Sequence, residues 1–237
     1  MNNIDDKLNK LISNYNEFVK GIDNTATQNL DRAYGGIIRS GKGHLVESLA
    51  QSLVEIAWGD VLKQEISRIK INKNKKPISI NKNYISRIKT PEVKNYVMEN
   101  KEKFVYKFGT DVQVFIDGQL VMPIECKAYT ENAMLKRILF DAFLMKKITG
   151  TQKYYLFQLE SQLGGDYSEL NDVTYGSPST HVLLSYVDVD LEIITLLKGE
   201  RKVDKPIHKA EFFKELKISE LKKAINIFAN DLNKYMR

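Results

Sequence analysis

Residues 109–129, GTDVQVFIDGQLVMPIECKAY, alternate apolar and polar side chains on both sides of an Asp-Gly pair, and no other stretch limits the fold so tightly. Period-two alternation specifies half-buried strands, and Asp-Gly favours a tight connection between them. Val112, Val114 and Ile116 are apolar in the first strand, as are Leu120, Met122, Ile124 and Cys126 in the second. The opposite parity holds Asp111, Gln113, Glu125 and Lys127. A slip of one residue would move a whole face, so the pattern itself tests the pairing. A two-residue turn at Asp117-Gly118 pairs 116 with 119 and sets Asp111 against the face opposite Glu125. A three-residue loop 116–118, with Gly118 left-handed, pairs 115 with 119. The apolar residues then meet, and Asp111, Glu125 and Lys127 share one face near one end of the hairpin. The pattern favours this second register.

Such a grouping is poor for stability. Two carboxylates held close together repel and push one pKa upward unless a cation lies between them. A divalent metal resolves the conflict, and oxygen donors suit a hard ion such as Mg²⁺. Mg²⁺ keeps several waters, so it can hold a phosphate oxygen and acidify an attacking water. Lys127, two residues after Glu125, projects from the same face and can orient that water or offset phosphate charge.

Asp111 followed by Glu125-Cys126-Lys127 resembles the PD-(D/E)XK nuclease superfamily, which includes most type II restriction endonucleases. The resemblance covers roughly residues 43–160. It implies an α/β fold in which a central mixed β-sheet is flanked by helices, with the acidic hairpin at its centre. It also implies catalytic roles for Asp111, Glu125 and Lys127, with Mg²⁺ as cofactor on Asp111, Glu125 and the Cys126 backbone carbonyl. Gly43-His44-Leu45-Val46-Glu47 is similar to the helix that precedes the hairpin in many members, where a glutamate points to the metals; a plain solvated glutamate is the competing reading of Glu47. Two features depart from the pattern. Thr110 stands where the family often has proline, and Pro123 interrupts the donors of the second strand, which fits a bent or edge-exposed strand end.

The rest of the chain reads as α, α, β, a basic insertion, the hairpin, α, β, loop, β, α. Helices are expected at 4–20, 44–58 and 131–147, with a polar, glycine-bearing flexible entry at 21–43. Strands are expected at 64–72, 153–159 and 181–188, and Pro91 opens a short helix to about 103. The 237 residues make one nuclease domain: a core at about 43–190, a basic insertion at 73–103 and a C-terminal helical segment at 209–237.

Lysines and arginines number 36 against 30 acids, a surplus of +6 that permits a polyanionic partner without demanding one. The single cysteine excludes an intramolecular disulfide and a Cys-rich zinc site. Its parity makes Cys126 a small buried hydrophobe rather than a nucleophile. No stretch has signal-peptide or membrane-span character, so a soluble protein of a reducing microbial cytoplasm is expected, with no membrane partner. Lys75 and Lys76 suit phosphate contacts, and Lys136 and Arg137 on the helix after the hairpin meet DNA or plain solvent. The polar loop 162–180 offers Asn171 and Tyr175 for base recognition, if it is not simply a surface loop.

Two classes of function follow. The first is a Mg²⁺-dependent, site-specific endonuclease acting on double-stranded DNA as a homodimer, with a repair nuclease or junction resolvase of the same core as its neighbour. The second is a non-catalytic nucleic-acid-binding module whose acidic hairpin is incidental.

Overall fold

The protein is described by a computed structural model covering residues 3–29, 33–169 and 175–236. Two long helices open the chain, α1 (Asn3–Gln28) and α2 (Tyr34–Glu55), and α2 runs on through a π-helical turn at Ile56–Val61. The order is then β1 (Ile69–Asn72), β2 (Lys76–Ser79), α3 (Lys82–Arg87), α4 (Pro91–Glu99), β3 (Val105–Phe108), β4 (Val112–Ile116) and β5 (Gln119–Glu131). After these come α5 (Asn132–Thr149), β6 (Lys153–Gln162), α6 (Pro178–Ser185), β7 (Asp190–Thr195) and α7 (Ile218–Leu232). No helix among the described residues is long and apolar enough to cross a membrane.

The expected mixed sheet with helices on both faces is present. Five strands lie in the order β1-β4-β5-β6-β7; β1/β4 and β4/β5 are antiparallel, while β5/β6 and β6/β7 are parallel. One face packs on α1, α2 and α7 through Val112, Val114, Met122, Ile124, Tyr155 and Phe157. Phe228 of α7 lies 6.0 Å from both the Tyr155 and Phe157 rings. Burial of each such aromatic stabilises the layer by roughly 1.5–3 kcal/mol. The other face packs on α5 through Ile138, Ala142, Met145, Tyr154 and Leu156.

Several expectations needed correction. Residues 21–43 are mostly helical rather than a flexible entry. A Cβ on Gly41 would lie 2.7 Å from both Ile22 Cδ1 and Phe18 Cζ of α1, so the bare glycine backbone lets α2 approach α1 closely. The strand expected at 181–188 is the helix α6. Ser177 accepts a hydrogen bond from the Thr180 N–H at 3.2 Å and Pro178 occupies the first turn, a cap that outweighs the β-branched content. The strand comes later, as β7, and β3 was not anticipated at all.

The hairpin connection also differs. Ile116 pairs with Gln119, and Asp117 (φ 49°) and Gly118 (φ 83°) are both left-handed, which makes a two-residue type I′ turn and not a three-residue loop. A β-bulge at Val121 then restores the parity. Phe115 pairs with Leu120 but Val114 pairs with Met122, so Val121 and Met122 both point into the α2 layer. Pro123 follows the bulge on the central strand, one residue before pairing with β6 begins at Ile124. It lies mid-strand rather than at a strand end, where the bulge bends β5 and only β4 is paired beside it.

Lys42 and Glu160 are buried ionisable residues on the helix-packed side of the sheet. Lys42 on α2 lies 3.2 Å from His208 Nδ1, and Lys214 meets the buried Glu160 at 2.9 Å. Burial pulls the Lys42 amine down to about 8, against the attraction of Glu160. A lysine depressed in the fold weakens it below that value, and stability recovers as pH rises toward the ordinary 10.5. Urea unfolding is therefore expected to show Lys42→Met more stable than wild type at pH 7 by about 1–3 kcal/mol, a gap that closes between pH 8 and 10.5. The same titrations should find Gly118→Ala destabilised by about 1 kcal/mol. Nothing lies within 4 Å of the added methyl, so the cost there is the left-handed backbone and not a clash.

Candidate active site

Asp111 sits one residue before β4, and the pairing of Val112 with Ile124 places it beside Glu125 on β5. Its Oδ2 accepts the Cys126 N–H at 2.9 Å, which fixes the carboxylate against the neighbouring strand. Thr110, buried just before it, donates to the Val112 carbonyl at 2.9 Å and holds the bend. Lys127, two residues beyond Glu125 on the same face, folds back over all of them. Its Nζ donates to Glu125 Oε1 at 2.5 Å, to the Cys126 carbonyl at 3.1 Å and to Asp111 Oδ2 at 3.3 Å. Glu125 is the deepest of the three, with 10% of its side chain exposed, against 32% for Asp111 and 28% for Lys127. The site therefore opens to solvent along the Asp111–Lys127 side.

The charges do not balance. Burial raises the Glu125 carboxyl; Lys127 opposes that rise and Asp111 adds to it. For the Lys127 ammonium, burial acts downward, but Glu125 and Asp111 outweigh it and the net shift is up. Both shifts favour a bound proton, as expected of two carboxylates sharing one lysine in a low-dielectric site. Among the described residues no three His, Cys, Asp or Glu side chains assemble into a metal cage. What does converge is two carboxylate oxygens and one main-chain carbonyl, all on a single ammonium. That is a hard-oxygen donor set already wrapped around a cation, and it fits Mg²⁺ with water completing its shell.

The remaining described candidates are not bonded to the trio, although the charge of Glu47 is felt at the Cys126 thiol. Glu47 on α2 pairs with Lys73 and lies 3.8 Å from His44; it makes no hydrogen bond or ion pair with the trio. Lys75, Lys76, Lys136 and Arg137 are exposed, and Arg137 reaches Asp141 on the next turn of α5 at 3.7 Å. Tyr175 is half-buried, its ring 4.0 Å from that of Tyr167 and its carbonyl 2.9 Å from His181 Nε2. Asn171 lies outside the described residues.

Two residues that the sequence did not single out surround Glu125. Asp141 on α5 is pushed up by burial and felt by both Glu125 and Lys127. Tyr154 on β6 is buried, and its hydroxyl has no hydrogen-bond partner among the described residues. Its phenol is raised by burial first, then by Glu125, Asp141 and Asp111. Arg137-to-Asp141 spacing is the one local sign of Asp141; for Tyr154 no local sign exists, because its position depends on strand pairing.

Cys126 points the other way, into the core, and burial pushes its thiol well above the ordinary range. It contributes its backbone to the site and its side chain to packing. A thiol reagent such as DTNB should leave the native protein unlabelled and label it fully in denaturant. Cys126→Ala should cost about 1 kcal/mol of stability and keep the site intact.

Comparison with known proteins bears on this geometry. No family model matches the chain. The solved "native BbvCI A2B2 tetramer at low resolution" aligns at 14% identity over 97% of this chain and 89% of that one, with a TM-score of 0.36, a likeness too slight to carry weight. The type II restriction enzyme DdeI of Desulfomicrobium norvegicum is 44% identical over 233 residues, spanning 97% of each chain. With that identity along nearly its whole length, the chain belongs to the type II restriction enzyme family.

Proposed function

We propose that this protein is a Mg²⁺-dependent, site-specific endonuclease that hydrolyses phosphodiester bonds of double-stranded DNA, with Asp111, Glu125 and Lys127 as its catalytic residues. Family membership supports the substrate and reaction class. The observation that carries the residue assignment is the convergence of Asp111 Oδ2, Glu125 Oε1 and the Cys126 carbonyl on one cation, the Lys127 ammonium.

Asp111, Glu125 and the Cys126 carbonyl would hold the metal, which supplies Lewis acidity and a more acidic bound water. The Cys126 N–H fixes the Asp111 carboxylate, so the donor set is oriented before substrate arrives. Lys127, on a strand rather than a loop, holds its positive charge at the open side of the site. There it binds a non-bridging phosphate oxygen and orients the attacking water. Glu125, the deepest of the three and raised by burial, keeps its charge through Lys127 and the added cation. Glu47 would act from α2 as an outer carboxylate. Lys136, Arg137, Asn171 and Tyr175 are assigned to DNA contacts, and the whole chain acts as one nuclease domain. A homodimer would match a palindromic site, since two-fold protein symmetry mirrors two-fold symmetry in the duplex.

Purified protein incubated with plasmid and phage DNA should give discrete fragments with Mg²⁺ and none with chelator. Asp111→Asn preserves size and a hydrogen-bond acceptor for the Cys126 N–H, so it should fold normally. It and Lys127→Ala are each expected to slow cleavage on the order of 10³-fold or more while duplex binding survives. Wild-type cutting rates in either variant would remove these residues from the active site.

A further inference from the structure

Residues 70–107 hold eleven lysines and arginines against three acids, a surplus of eight, while the whole chain's surplus is six; everything outside this segment is therefore net acidic by two. Ten of the eleven basic side chains are exposed. Its first three residues complete β1 of the central sheet; from Lys73 on it folds as a lobe of its own, in which β2 and β3 pair as a separate two-stranded ribbon capped by α3 and α4. Its private core is slight: only Ile85 and Val97 are buried between 70 and 107, while Tyr84, Tyr96 and Tyr106 are 52–60% exposed.

The root of the lobe lies at the active site. Lys73 pairs with Glu47 on α2, and the Asn74 carbonyl accepts from Gln113 Nε2 on β4 at 2.8 Å, two residues from Asp111. At Gly109, a Cβ would lie 3.3 Å from Lys75 Cα, so the lobe returns to the hairpin in close backbone contact. The inner face of the ribbon packs Ile78 and Phe108 against α5. Its outer face, where Pro77 pairs with Lys107 and Ser79 with Val105, is exposed; Lys76, opposite Phe108 on the inner side, is exposed at the ribbon's end nearest the hairpin, its ammonium 5.8 Å from the Phe115 ring.

From these observations we infer that residues 73–107 are a DNA-gripping lobe that neutralises phosphates of the duplex beside the bond to be cut, with Lys75, Lys76 and Lys107 as principal contacts. The inference rests on the endonuclease reading and adds where and how the duplex is held. A two-stranded ribbon fits the width of a major groove. A second copy of the chain is a poor occupant, because symmetric contact would set one lobe's surplus of seven against another. A polyanion is a good one.

Binding of a short fluorescent duplex of arbitrary sequence, in chelator so that nothing is cut, tests the lobe as a function of salt. Each lost phosphate contact lowers the slope of log K against log[salt] by about 0.9. The triple variant K75A/K76A/K107A should therefore flatten the slope by roughly 2 to 3 and weaken low-salt binding at least about tenfold. The pair K205A/K217A, on exposed lysines outside the lobe, should leave both unchanged. A triple variant that cuts and binds with the wild-type slope overturns the lobe alone. A wild-type dimer that the triple variant converts to monomers, with DNA affinity intact, overturns it in favour of self-association. A wild type that neither binds nor cuts DNA overturns the endonuclease reading, and the lobe with it.

Discussion

At Val121 the central strand carries one residue more than its partner, and the arrangement of the site depends on that insertion. Upstream of it the pairing follows a tight Asp117-Gly118 turn; downstream it has shifted by one, which brings Asp111 beside Glu125. Without the extra residue, the same turn would send the two carboxylates to opposite faces, one of them into the apolar α2 layer. Val121 and Met122 instead both enter that layer, and the polar parity from Glu125 onward is aimed at the α5 side. A bulge of this kind twists the strand locally, which also accommodates Pro123 at a position that donates no hydrogen bond.

Once aligned, the trio is held by its own mismatch of charge. One lysine serves two carboxylates, and burial makes the deficit of positive charge felt more strongly than it would be in water. The two carboxylates hold the proton on Lys127, while at Glu125 burial itself is the first cause of the rise and Lys127 opposes it. A site that collects protons also collects cations. Asp141 and the buried Tyr154 hydroxyl, unpartnered among the described residues, add further polar groups to the α5 side of an otherwise apolar layer.

Around this pocket the chain separates its charges. The body is slightly acidic, and the surplus of lysine is gathered on the lobe rooted between Glu47 and Gln113. Chemistry that needs clustered carboxylates and a substrate that is itself a polyanion make opposite electrostatic demands. Placing them on adjacent but distinct elements meets both.

Much of this was legible in the linear sequence. Alternation and the spacing of Asp111, Glu125 and Lys127 identified the hairpin, and the apolar stripes identified α1, the second half of α2, α5 and α7, because these signals are local and periodic. The shared face of the trio was read correctly through a wrong turn: a bulge leaves no mark in a hydrophobic pattern except a pair of adjacent apolar residues, Val121 and Met122. The early start of α2 was hidden by its glycines, which read as flexibility until Phe18 and Ile22 are seen packed over Gly41. Likewise α6 was hidden behind β-like residues and betrayed only by its Ser177-Pro178 cap. The sequence by itself determined which residue types carry the chemistry and which faces must be buried. Tertiary structure alone decided that Glu47 pairs with Lys73, that Asp141 and Tyr154 border Glu125, and that the basic insertion roots beside Asp111. Those relations are set by strand order and helix docking between residues far apart in the chain, and no local periodicity encodes them.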